Sequence, residues 1–144
     1  MRSLYAVVVV AIIAGCASIR PAAVQVGDRC FNCGRTIGNL QLAAEVVDQL
    51  KTPRPFRSAG CLAKYLKAHP NQPVAAVFVT DYRSGRMLPA DDAWFVPTAV
   101  KQADGKATEA DYLAFRSRAD AAAEGGGKPV LLRWAQVVAE ASAK

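Results

Sequence analysis

The sequence predicts an α+β domain built from two similar ββαβ units and closed by a terminal helix. Three observations carry that expectation. Two successive stretches each order two strands, a helix and a further strand by their apolar periodicity. The tripeptide Phe56-Arg57-Ser58 recurs as Phe115-Arg116-Ser117, both times where a strand runs into a helix, which points to an internal duplication. The final segment, Ala135 to Ala143, reads as a helix.

The chain opens with Arg2 and the apolar run Leu4 to Ile13, followed by Ala14-Gly15-Cys16. That run falls short of the roughly 20 residues needed to cross a bilayer and ends in small residues, so it reads as a cleaved secretory leader. A cysteine directly after Ala14-Gly15 resembles the bacterial lipobox, which makes Cys16 the lipidated first residue of the mature chain. No Asp follows the cysteine to argue for inner-membrane retention. The expected location is the bacterial cell envelope, lipid-anchored and facing the periplasm at the outer membrane. The expected boundaries are 1–15 for the leader, 16–27 for a tether and 28–140 for the domain, divided into units 28–82 and 83–140.

Within the first unit, Leu40, Leu42, Ala44 and Val46 alternate with other residues up to Leu50, as in a half-buried strand. Thr52-Pro53-Arg54-Pro55 is expected to turn the chain, with Phe56-Arg57-Ser58 as a short second strand. Ser58 then caps a helix that Pro70 stops. Val74 to Val79 is a continuous apolar run, as expected of a strand covered on both sides. In the second unit, strands begin at Trp94 and Tyr112, a helix spans Arg118 to Glu124 before three glycines, and Val130 to Trp134 supplies the last strand.

Composition narrows the function. The chain of 144 residues carries a net charge of +6, and Lys51, Arg54, Arg57, Lys64 and Lys67 fall in a window without acidic residues. An ordinary solvated face or a surface turned toward anionic lipid would both fit. A nucleic-acid partner does not fit an exported chain. No enzyme is expected. His69, the only histidine, sits at a helix end, and Asp91 and Asp92 are adjacent, so on a strand they would face opposite ways. Gly125 to Gly127 follows a helix and precedes a strand, the wrong order for a phosphate cradle.

The cysteines carry the chemistry. Cys30-Phe31-Asn32-Cys33-Gly34 has the spacing of a metal knuckle, in which a tight turn sets two sulfurs about a metal diameter apart. Cys61 falls near the third position of the Ser58-capped helix, where free N–H groups and the helix dipole favour thiolate. Three thiolates suit trigonal Cu(I), whereas Zn(II) wants a fourth ligand that the sequence does not plainly supply. From the residues alone two other readings stay open. Cys30 and Cys33 could close a small disulfide loop with Cys61 packed as a small hydrophobe, leaving a non-metal envelope lipoprotein that binds a protein partner. A thioredoxin-like redox pair fits less well, because Gly34, Gly38 and Asn39 make the following segment turn-like rather than helical. His69 reads as a cap of the last carbonyls and Met87 as core filler.

Several short motifs, Cys30-x-x-Cys33-Gly34, Val79-Thr80-Asp81-Tyr82 with Ser84-Gly85, Ala93-x-x-Val96, and Ala114-Phe115 before Ala119 and Gly125-Gly126, together resemble the NosL family. The resemblance covers roughly Val26 to Glu140. It implies paired ββαβ modules in a periplasmic lipoprotein that binds Cu(I) and assists assembly of the copper centres of nitrous oxide reductase. The implied partners are the membrane, through the N-terminal lipid, and a periplasmic copper enzyme or copper transporter. Two positions depart from the family pattern: Arg35 follows Cys33-Gly34 where the family has methionine, and Thr108-Glu109 replaces a Met-Gly. Without those thioethers, Cys30, Cys33 and Cys61 are the expected soft donors.

Overall fold

The structure, a computed structural model, describes residues 18–101, 108–126 and 129–142. The leader and Cys16, with the expected lipidation site, lie outside the described residues. The first unit comprises β1 (Ala44–Asp48), β2 (Pro53–Phe56), α1 (Ala59–Ala68) and β3 (Val74–Thr80), and β4 (Met87–Pro89) extends its sheet. The strand order is β2-β1-β3-β4, with every neighbouring pair antiparallel.

Three local expectations are corrected here. The first strand begins at Ala44 rather than Leu40, because Asn39 Oδ1 accepts the Gln41 N–H at 3.0 Å and the Ala43 N–H bonds Leu40 O, which closes a turn across residues 39–43. Pro53 and Pro55 do not turn the chain but lie inside β2, pairing with Val47 and Glu45. The sheet tolerates them because β2 is its edge strand, where a missing donor need not break a ladder. β3 is covered less than its apolar run implies: Phe78, Val79 and Thr80 are buried, whereas Val74 to Val77 are half-buried.

The second unit repeats the plan with β5 (Trp94–Lys101), β6 (Thr108–Phe115) and α2 (Arg118–Glu124). β5 and β6 pair antiparallel from Trp94 opposite Phe115 to Lys101 opposite Thr108. The expected third strand, Val130 to Trp134, shrinks to one bridge in which Leu132 and Phe95 exchange two hydrogen bonds of 2.9 Å. The chain leaves the sheet there because the Arg133 N–H turns to Gln136 Oε1 at 2.8 Å and starts α3 (Trp134–Glu140).

The repeated tripeptide does the same work twice. Phe56 and Phe115 are both fully buried, and the two serines cap the two helices: Ser58 Oγ accepts the Cys61 N–H at 3.2 Å, and Ser117 Oγ accepts the Asp120 N–H at 3.3 Å. Asp81 joins the units. It forms a parallel bridge with Ala114, its Oδ1 accepts the Arg116 N–H at 3.1 Å, and its Oδ2 accepts the Ser84 hydroxyl at 2.6 Å. The core is continuous across both, since Phe56, Leu62, Val79, Phe95, Trp134 and Val137 belong to one buried cluster.

The segment expected as a tether is held down over its described part. The Ala22 N–H donates to the buried Glu45 at 2.9 Å, and Val24 packs on the core. Burial pushes the Glu45 carboxyl above its ordinary value, against the pull of that hydrogen bond. Among the described residues, no helix is long and apolar enough to cross a membrane.

Candidate metal centre

The loop carrying Cys30 and Cys33 is a closed knuckle. Arg29 bridges Thr36, the Cys30 N–H donates to Arg35 O at 2.9 Å, and the Gly34 N–H donates to Cys30 O at 2.8 Å. Gly34 takes φ of +69°, a left-handed conformation that glycine adopts without steric penalty. Backbone pairing then sets where the knuckle sits: the Phe31 N–H donates to Pro55 O at 2.8 Å, so the loop docks on the free edge of β2. Phe31 packs edge-on against Phe56 and Tyr65, with ring centroids 6.0 and 5.5 Å away, and the Arg54 guanidinium lies 4.6 Å over its ring.

β2 runs straight into Ser58 and α1, which delivers Cys61 to the same place. The helix start is fixed from a second side by β6, because buried Asp111 accepts the Gly60 N–H through Oδ1 at 2.9 Å. That approach requires glycine: a Cβ at position 60 would stand 2.7 Å from Asp111 Oδ1.

These constraints bring Cys30, Cys33 and Cys61 together, with all three sulfurs within 4.8 Å of one another. Cys30 and Cys61 are buried at 2% and 4% exposure with their sulfurs 3.5 Å apart, whereas Cys33 faces solvent. All three are free cysteines in the structure, with no disulfide among them. Asn32 Nδ2 donates to the Cys61 carbonyl at 3.2 Å and reaches Cys61 Sγ at 3.5 Å.

The buried pair divides its protonation states. The S–H of Cys61, directed at Cys30, outweighs burial and, with backbone N–H groups of Cys33, Arg57 and Asn32, lowers the Cys30 thiol to about 5. Cys61 shifts upward, first because its proton is held by Cys30 and then because it is buried. The helix N-terminus was expected to make Cys61 the thiolate. The sulfur contact reverses that order, and the thiolate falls on Cys30.

A charged cluster borders the sulfurs. Glu109 of β6 accepts from Lys64 Nζ at 3.0 Å and from Arg57 Nη2, with Arg35 Nη1 at 3.5 Å. Burial alone would raise the Glu109 carboxyl, but Lys64 and Arg57 hold it below its ordinary value. Arg57 would be lowered by burial, and Glu109 with the neighbouring cysteines raises it instead. Its Nε is a buried side-chain nitrogen without a hydrogen-bond partner.

Other singled-out residues lie elsewhere. His69 ends α1, where its backbone N–H and ring Nδ1 meet the Tyr65 carbonyl, the ring contact being 2.8 Å. Met87 belongs to β4 and packs on the core. Asp91 and Asp92 lie in a single 3₁₀ turn rather than on a strand. The sequence reading missed Asn32, Arg57, Glu109 and Asp111. Asn32 lay within the Cys30–Gly34 motif, Arg57 within the repeated tripeptide and the basic window, and Glu109 within the Thr108-Glu109 departure, but none of these signals gave its residue a place at the sulfurs.

No family model matches the chain, and none of the curated proteins compared is similar to it in sequence. Among solved structures, the crystal structure of the copper chaperone NosL from Shewanella denitrificans matches with a TM-score of 0.65 at 23% identity, over 83% of this chain and 96% of that one. The chain has a NosL-like fold. In this NosL-like domain the sulfur cluster lies where the edge of the first sheet, the N-terminus of α1 and the strand β6 of the second unit meet. Both units therefore build it.

Proposed function

We propose that this protein is a lipid-anchored copper-binding protein of the bacterial envelope, holding Cu(I) on Cys30, Cys33 and Cys61 and passing it to a periplasmic copper enzyme such as nitrous oxide reductase or to a copper transporter. The observation that carries the reading is the sulfur triangle. Metal–sulfur bonds of about 2.3 Å place three sulfurs about 4 Å apart around a trigonal ion, and the three found here lie within 4.8 Å of one another. No histidine or carboxylate joins that cluster among the described residues. An all-sulfur set of three suits Cu(I) better than Zn(II), which favours four ligands. The resemblance in fold to a copper chaperone supports the same reading.

The protein's own groups prepare the site. With the Cys30 thiol lowered to about 5, copper binding at that sulfur need displace little proton near neutral pH. Asn32 orients Cys61, and the unpartnered Arg57 Nε is a donor suited to a Cys33 thiolate. Two buried donors retain the ion and the exposed one offers it to a partner, which is the division of labour a chaperone needs.

Anaerobic Cu(I) titration of the reduced protein against a competing chelator tests the reading. One equivalent bound tightly is expected, and unchanged affinity in a Cys30→Ser, Cys33→Ser double variant would reject the site. The anchoring part is tested separately by Cys16→Ala, which should leave the precursor unprocessed. A variant that still fractionates as a processed, detergent-requiring lipoprotein would rule it out.

A further inference from the structure

The exposed sulfur of Cys33 opens onto a cleft of about 720 Å³ whose lining includes Arg29, Arg35, Arg57 and Lys101 and, among the described residues, no carboxylate. Glu109 offsets part of this charge from behind, through Arg35 and Arg57, but Lys64 shares the same carboxylate. The described lining of this open cleft therefore keeps a positive field, and its volume is large enough to receive a small molecule. We infer that this cleft receives a small thiol bearing carboxylates, which brings Cu(I) to Cys33 as its thiolate complex. The inference rests on the copper reading above and adds the chemical class of the donor.

The chemistry follows from what the cleft places side by side. Carboxylates of the ligand meet the guanidinium groups, where bidentate pairing fixes orientation. That leaves the ligand's sulfur, with its copper, beside Cys33. Exchange is associative: a Cu–S bond forms to Cys33, the Cu–S bond to the incoming thiol breaks, and the Cys33 proton passes to the departing thiolate. Copper stays Cu(I) throughout, so no oxidant or reductant is needed. Cys30 and Cys61, buried behind Cys33, then complete the transfer.

The test compares Cu(I) supplied as its mercaptosuccinate complex, a dicarboxylate thiol, with Cu(I) supplied as its thioglycerol complex, a neutral thiol. Uptake is followed by stopped-flow absorbance of the copper–thiolate band. At low salt, uptake from mercaptosuccinate should be about tenfold faster, within the range expected of electrostatic steering. The advantage should vanish at high salt and in an Arg35→Gln, Lys101→Gln double variant, with the final copper stoichiometry unchanged. Equal rates from the two complexes, or an advantage that survives in the double variant, would overturn the inference while leaving the copper site standing. Failure to take copper from either complex would instead overturn the site itself, and the inference with it.

Discussion

Cys30 Sγ lies 3.5 Å from Cys61 Sγ, although 31 positions separate the two residues. The contact arises from two backbone commitments. Phe31 donates to Pro55 and pins the knuckle on the edge of β2, and Ser58 begins α1 two residues after that strand ends. The sulfur meeting is thus a product of topology, and its consequence is electrostatic: one proton is shared by two buried sulfurs, and Cys30 is the one left ionised.

The reduced protein should therefore show a thiolate that titrates near pH 5. Folding lowers Cys30 from about 8.5 in the unfolded chain to about 5, so the folded state binds fewer protons between these values. Its stability should rise with pH across that window, and the contribution should disappear as pH falls through 5. Cys61, shifted upward, acts in the opposite sense: above about pH 8.5 the unfolded chain ionises there and the folded protein resists, so stability should decline. Thiolate absorbance and urea midpoints measured against pH check both limbs. A thiolate that first appears above pH 7 would contradict the shared proton.

Gly60→Ala should destabilise the fold by about 1–3 kcal/mol. The new methyl would press on Asp111 Oδ1 at 2.7 Å and disturb the hydrogen bond from the Gly60 N–H. Because that bond fixes the start of α1, copper affinity should fall along with stability. Equilibrium denaturation and copper competition on one variant measure both, and wild-type values for each would show that Asp111 can move aside freely.

Glu109→Gln should cost about 1–2 kcal/mol, between the values for exposed and buried ion pairs. Glu109 and Arg57 are 19% and 15% exposed in their side chains, so Arg57 would be left with little solvent to replace its partner. Since Glu109 is held ionised below its ordinary value, its contribution should be lost as pH drops through the acid range. Denaturation midpoints at neutral and acid pH test this, and a variant that loses as much stability at acid pH as at neutral pH would argue against the ionised pairing.

The sequence made some of this legible and hid the rest for physical reasons. Ser58, Cys61 and the Val74–Thr80 strand were readable because caps and apolar runs are local signals. The repeated Phe-Arg-Ser was readable because it ends a strand and caps a helix within three residues in both places. Pro53 and Pro55 misled because their effect depends on whether a strand lies at an edge, which only the whole sheet decides. The last strand was overestimated because the Gln136 contact that ends it competes with its pairing. Asp111 and Glu109 act on residues 51 and 52 positions away, through contacts that no periodicity encodes. The ionisation order of Cys30 and Cys61 depends on the distance between two sulfurs and could not be read from helix position alone.

The most direct test of the three-sulfur site is X-ray absorption at the copper edge on protein loaded anaerobically with one equivalent of Cu(I). Three sulfur neighbours at about 2.3 Å are expected, falling to two in Cys61→Ser. Two sulfurs in the wild-type protein, or a first shell containing nitrogen or oxygen, would contradict it.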